Sequence, residues 1–229
     1  MLMTHDRRTF LLLGAFALAM AHVEASLVVH LRTLYYGDDP LVLFPLTLLP
    51  HRTLAIEVAR EAATLVMILA VALLAARGAG RVFAAFCYVF GLWDIGYYLW
   101  LKLMLGWPVR WLEWDVLFLI PWPWFGPWLA AALIALLLSS WGARVLLAET
   151  TPVFGRAPLL LFVAGVLLAL GAFLWPAALL LPGGEQAFAG FRPETFPWLP
   201  WLGGLILMAV GLWRALRRSA PPSAGDVDA

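Results

Sequence analysis

Residues 82–105 read VFAAFCYVFGLWDIGYYLWLKLML, and Gly106-Trp107-Pro108 ends the run. Asp94 and Lys102 are its only charged residues. An amphipathic surface helix would show a polar face, whereas this segment is apolar all round and long enough to cross a bilayer core of about 30 Å. It therefore reads as a membrane span, and one that carries an acid inside it.

The rest of the chain agrees. Of 229 residues, 64% are hydrophobic and 13% are charged, against about 25% charged in soluble domains. That excludes a soluble globular domain, a disordered chain and a collagen-like chain. A formal charge of +1 leaves no basic face for nucleic acid, so no nucleic-acid partner is expected. The single cysteine, Cys87, excludes a disulfide framework and a cysteine-built zinc site.

Working outward from residues 82–105, the hydrophobic runs predict an all-α, six-helix membrane bundle in one domain over residues 1–218. The spans are about 9–35, 53–76, 82–105, 126–147, 158–181 and 198–216. No strand is expected, since lipid-exposed backbone must pair internally. The first run has a small-x-small site at Ala19-Met20-Ala21, but its helical pattern continues past that site, so a span is expected rather than a cleaved signal. Pro121, Pro123 and Pro127 bar a helix before about residue 126, and Pro127 suits a first helical turn. The Trp- and Pro-rich stretch 107–125 is then interfacial or re-entrant. The Pro, Ser, Gly and Asp tail 219–229 reads as disordered.

Lys and Arg set the orientation. With the N-terminus inside, Arg7, Arg8, Arg77, Arg81, Arg144, Arg156, Arg214, Arg217 and Arg218 are internal, and Arg52, Arg110 and Arg192 are external. Nine against three predicts both termini in the cytoplasm of a cell with this chain in its inner (plasma) membrane, and a bacterial source is expected.

The polar residues of the first three spans then share one depth. Glu24 lies roughly 22 Å along span one at 1.5 Å per residue. Glu57, Arg60 and Glu61 occupy the first turns of span two, and Asp94, Tyr97, Tyr98 and Lys102 the outer half of span three, with Asp115 just beyond. At about 100° per residue, Glu57, Glu61 and Thr64 form one stripe with Arg60 beside it, and Cys87, Gly91, Asp94, Tyr98 and Lys102 form another. His22, Ser26, His30 and Thr33 form a stripe from which Glu24 points away.

Five acids (Glu24, Glu57, Glu61, Asp94, Asp115) and two bases (Arg60, Lys102) sum to −3. A low-dielectric site does not tolerate that excess unless protons, a cation or water enter. Two readings follow. Glu57–Arg60–Glu61 is an i, i+3, i+4 ion-pair ladder with Lys102 reaching out to headgroups. Or the group marks a site, with Asp94, Glu61, Glu57 and Glu24 as acid or base residues. In the second reading Glu57, Glu61 and Asp94 are candidate ligands for a hard divalent cation. Tyr98, Arg60, Lys102, Trp111, Trp114 and Asp115 would then meet the substrate.

Six of the thirteen tryptophans (Trp107, Trp111, Trp114, Trp122, Trp124, Trp128) fall between 107 and 128. They read as an aromatic belt at headgroup level, or as a platform holding a flat or lipidic ligand over the acids. The pattern Trp107-x3-Trp111-x2-Trp114-Asp115 resembles the tryptophan-rich outer loop of the heme-handling membrane proteins of cytochrome c maturation, over residues 107–115 only. Small members of that family have six spans and internal termini, and the resemblance implies heme held by histidines in the flanking outer loops. This chain has His51 in the first outer loop and no histidine in 182–197, which argues against heme.

Other catalytic signatures are absent. There is no His-Glu-x-x-His, no Gly-x-Ser-x-Gly and no phosphate loop, and four histidines are too few for a histidine-box di-iron site. The two halves do not repeat with inverted topology, as many transporters do. Three functions remain in view: an enzyme acting on a lipidic substrate at the outer leaflet, a non-catalytic subunit or assembly factor of a redox or envelope membrane complex, and a small proton-linked transporter.

Overall fold

The computed structural model describes residues 5–37, 39–148 and 150–217. The expected tail 219–229 lies outside the described residues. Six helices are long and apolar enough to cross a membrane. They are α1 (His5–Tyr35), α2 (His51–Ala75), α3 (Ala79–Leu105), α4 (Trp128–Leu147), α5 (Arg156–Leu180) and α7 (Trp198–Arg217), with a one-turn-scale helix α6 (Gly184–Ala189) after α5. The shortest of the six has 20 residues, about 30 Å at 1.5 Å per residue. Large apolar side chains point outward, Leu74 at 89% and Leu199 at 84% exposure, as they must where the solvent is lipid.

Small residues hold the helices together. Helix α3 is the hub, with α1, α2 and α4 against it, while α5 pairs with α7. A Cβ on Gly91 would meet Ala135 O, and one on Gly142 would meet Ala84 O, so α3 and α4 touch backbone to backbone. Gly165 and Gly204 do the same for α5 and α7. In lipid such van der Waals approach is the main glue between helices. Helix α2 contacts α3 over part of its length and α1 very little.

The expectation of no strand is corrected between α3 and α4. There Trp114–Phe118 (β1) and Trp124–Pro127 (β2) pair antiparallel, Asp115 opposite Gly126 and Val116 opposite Phe125, with a bulge between Val116 and Phe118. Such backbone is tolerated because protein covers it: Phe125 is fully buried, and a Cβ on Gly126 would strike the Phe173 ring of α5. Tryptophans complete its hydrogen bonding. The indole N–H of Trp124 donates to Ile120 O (2.7 Å) and that of Trp128 to Arg110 O (2.9 Å). Gly126 and Pro127 belong to β2, so α4 starts at Trp128, with Pro127 preceding the helix instead of opening its first turn.

Candidate functional site

One face of α2 buries Glu57, Glu61 and Thr64, then Ile68 and Ala72, at the spacing of a single helical stripe. Arg60 sits beside that stripe and gathers three carboxylates. Its Nη1 pairs with Glu24 of α1, its Nε donates to Glu57 Oε2 at 2.8 Å, and its Nη2 lies 4.0 Å from Glu61 Oε1. The other Glu61 oxygen accepts the backbone N–H of Leu119 at 2.8 Å, tying α2 to the hairpin turn. Arg60 thus links α1 to α2, and Glu61 links α2 to the segment that roofs the bundle.

Under that roof is a cavity of about 60 Å³. Its walls are Glu24 and Val28 of α1, Arg60, Glu61 and Thr64 of α2, Trp93, Asp94, Tyr97 and Tyr98 of α3, and Val116–Phe118 of β1. The volume suits a few waters or one small polar group. Asp94 presents an oxygen, Oδ2, that is shielded from solvent and has no hydrogen-bond partner, and the indole N–H of Trp93 is in the same state.

A second buried network adjoins it. Arg32 of α1 and Asp115 of β1, 3% and 2% exposed, pair at 3.1 Å, and the Arg32 guanidinium lies 4.2 Å over the Trp107 ring. Tyr98 stands between the two networks, its ring against Trp107 and Trp128 and its hydroxyl facing Asp115. Burial raises the Asp115 carboxyl to about 6, against the lowering effects of Arg32 and of the Val116 N–H. Of the seven buried side-chain N and O atoms without a partner among the described residues, five belong to Arg32, Trp93, Asp94, Trp107 and Asp115. Buried polar atoms are nearly always bonded, so such a concentration marks where water, an ion or a ligand belongs.

The expected site residues divide accordingly. Glu24, Arg60, Glu61, Asp94 and Tyr98 line the cavity, Glu57 lies behind it on Arg60, and Asp115 is next door with Arg32. Three expected substrate contacts are elsewhere. Lys102 donates to Gly106 O (2.9 Å) and Pro108 O (2.8 Å), closing the end of α3, where Gly106 takes the left-handed conformation glycine favours. Trp111 is 73% exposed and stacks on Trp128. Trp114 packs edge-on to Phe196 and lines a separate cavity with Trp107 and Leu41–Phe44. The roof over the acids is therefore β1 backbone, Leu117 and Phe118, and not an aromatic platform of Trp111 and Trp114.

The metal candidates do not form a cluster of ligands. Among the described residues no three His, Cys, Asp or Glu side chains stand together as a metal set. Glu57 is turned to Arg60, and Glu61, which lines the cavity with Asp94, has one oxygen on the Leu119 N–H and the other 4.0 Å from Arg60. The heme candidate His51 is exposed and sits 3.4 Å from Glu185. His22 packs against Trp100 and His30 bonds to Ser26 O, so the histidine stripe of α1 faces away from the acids.

The chain matches no protein-family model, no curated protein and no solved structure. What the site does is argued from its geometry and charge.

Sequence reasoning missed Arg32, Trp93 and Trp107 as site residues. Arg32 carried a signal, since a cation inside a span needs an acid. Its partner is 83 residues away, beyond the reach of helical periodicity. Replacing Lys102 by Arg32 leaves the balance unchanged: five carboxylates face two guanidinium groups.

Proposed function

We propose that this chain is a multi-pass membrane enzyme that acts on the polar part of a lipidic substrate held in the cavity between α1, α2, α3 and β1. Asp94 serves as general acid or base, Glu61 as its partner carboxylate, and Arg60, held by Glu24 and Glu57, fixes the wall. The observation that carries this reading is the unpartnered, solvent-shielded Asp94 oxygen on a cavity that already holds an acidic excess. A group in that position has no structural bond to lose and is free to exchange a proton with a ligand. The Lys and Arg bias supports a reading with both termini in the cytoplasm and the cavity in the outer leaflet of the inner membrane.

Away from the cavity the α1–α2–α3 core is Leu13, Ala17, Ile68, Ala72, Ala85 and Val89, an apolar plug. That favours chemistry at one leaflet over a proton-linked transport path.

The test is to reconstitute the wild type with total membrane lipid and follow the lipid profile by mass spectrometry. Asp94→Asn, folded and equally expressed, is expected to lower turnover of the converted species by about 10²–10⁴-fold. Equal turnover by Asp94→Asn and Glu61→Gln contradicts the proposal.

A second reading is favoured by the Glu24–Arg60–Glu57 pairing, which joins the loosely packed α2 to α1. In it the chain is a non-catalytic subunit or assembly factor of a membrane complex and the charges are glue. Stoichiometric co-purification with a partner protein, together with an unchanged lipid profile, supports it over the enzyme.

A further inference from the structure

We propose that the group this cavity receives is a primary ammonium, carried with a neighbouring oxygen acceptor, as in an ethanolamine headgroup. The inference rests on the cavity being a ligand site, as above, and adds the class of ligand.

Charge comes first. Arg60, the only guanidinium on the cavity wall among the described residues, is already engaged by Glu24 and Glu57 and lies near Glu61, while Arg32 is paired with Asp115 outside the cavity wall. A phosphate or carboxylate entering would find no uncommitted cation on that wall and would add to an excess of three negative charges. A cation lowers the excess.

The unpartnered atoms give the second, independent argument. Asp94 Oδ2 is an acceptor shielded from solvent, awaiting a donor. Trp93 is 7% exposed, and its indole N–H is a donor awaiting an acceptor. A ligand that is cationic at one atom and an acceptor three bonds away, as across the two carbons of ethanolamine, satisfies both. The rings of Trp93, Tyr97 and Tyr98 form the wall beside Asp94, and aromatic faces attract ammonium groups.

Size narrows the class. About 60 Å³ accommodates –NH3⁺ with its first carbon, whereas trimethylammonium carries three further methyl groups. Trimethylammonium also has no N–H to donate to Asp94 Oδ2, so ethanolamine headgroups are favoured over choline headgroups.

Binding is read by thermal shift of the delipidated, detergent-purified protein titrated with short-chain phosphatidylethanolamine, phosphatidylcholine, phosphatidylglycerol or free ethanolamine. Phosphatidylethanolamine is expected to bind at least tenfold more tightly than either of the other two lipids, and Asp94→Asn to remove that preference. Glu61→Gln, which keeps an acceptor for Leu119, carries the same prediction several-fold weaker and serves if Asp94→Asn does not fold. Asp94-dependent stabilisation by free ethanolamine, with competition between it and the lipid, supports the ammonium and identifies a soluble amine as a sufficient source. Stabilisation by phosphatidylethanolamine alone identifies the lipid as the source. Equal or tighter Asp94-dependent binding of phosphatidylglycerol overturns the ammonium assignment while leaving the cavity as a ligand site. Lipid and amine titrations that no cavity substitution alters overturn both.

Discussion

The two sides of the bundle join their helices with opposite materials. Helices α5 and α7 meet where Gly165, Gly204 and Gly211 let backbones touch, and the atoms nearest those glycines belong to uncharged residues. Helices α1, α2 and α3 converge, at the end nearest the hairpin, on five carboxylates, two guanidinium groups and a cavity. The first arrangement is sufficient to hold helices in lipid, and α3 and α4 use it too through Gly91 and Gly142. Charge is therefore not a general requirement for joining helices in this bundle. The charged arrangement carries desolvation cost and unpartnered atoms that close packing avoids, and on these two features the proposed site rests.

The comparison can be broken from the charged side first. Arg32→Met leaves Asp115 buried without its cation and is expected to cost about 3–5 kcal/mol in unfolding measured in mild detergent. The double replacement Arg32→Met with Asp115→Leu is expected to recover most of that loss, because an apolar pair of similar volume avoids desolvation.

Next comes pH. The Asp115 carboxyl titrates near 6 in the fold, against 3.8 as its ordinary value. Its folded value is raised, so the folded state holds the proton more tightly. The contribution to stability is full below pH about 4 and is lost as pH rises to about 6, by up to about 3 kcal/mol. Thermal unfolding of the wild type against pH should show this fall, Asp115→Asn should reduce it by the Asp115 share, and Arg32→Met should extend it to higher pH.

A smaller effect is expected on the uncharged side. Gly204→Leu forces side-chain atoms into the Gly165 and Ala169 backbone and is expected to cost about 1–3 kcal/mol, by the same amount at pH 4 and pH 7. A strong pH dependence of that cost would mean that the two sides are coupled and that the contrast between them is false.

Much of this was legible from hydrophobic runs. The six long helices follow from span length, and the common level of Glu24, Glu57, Arg60, Glu61 and Asp94 follows from counting along them. The Glu57–Glu61–Thr64 stripe follows from period alone, because one helix fixes the relative directions of its own side chains. What could not be read are relations between segments. Nothing local pairs Arg32 with Asp115. Lys102 is different: it turns onto carbonyls four and six residues away, a last-turn cap that local sequence allows as readily as a reach to headgroups or acids. The hairpin escaped because the rule against strands concerns backbone facing lipid, and this one is covered by α5 and by Phe44, Phe188 and Phe191. Trp111 and Trp114 were placed over the acids by composition. Composition does not specify which tryptophans use their indole N–H to complete a turn, as Trp124 and Trp128 do.

The most direct test of the central claim is an experimental structure of the chain purified with its native lipids, at a resolution that shows headgroups. The account predicts density in the cavity between Thr64, Trp93 and Asp94, with a donor within hydrogen-bond distance of Asp94 Oδ2 and a lipid tail leading out of the bundle. A closed cavity, with Asp94 bonded to protein groups alone, would contradict it.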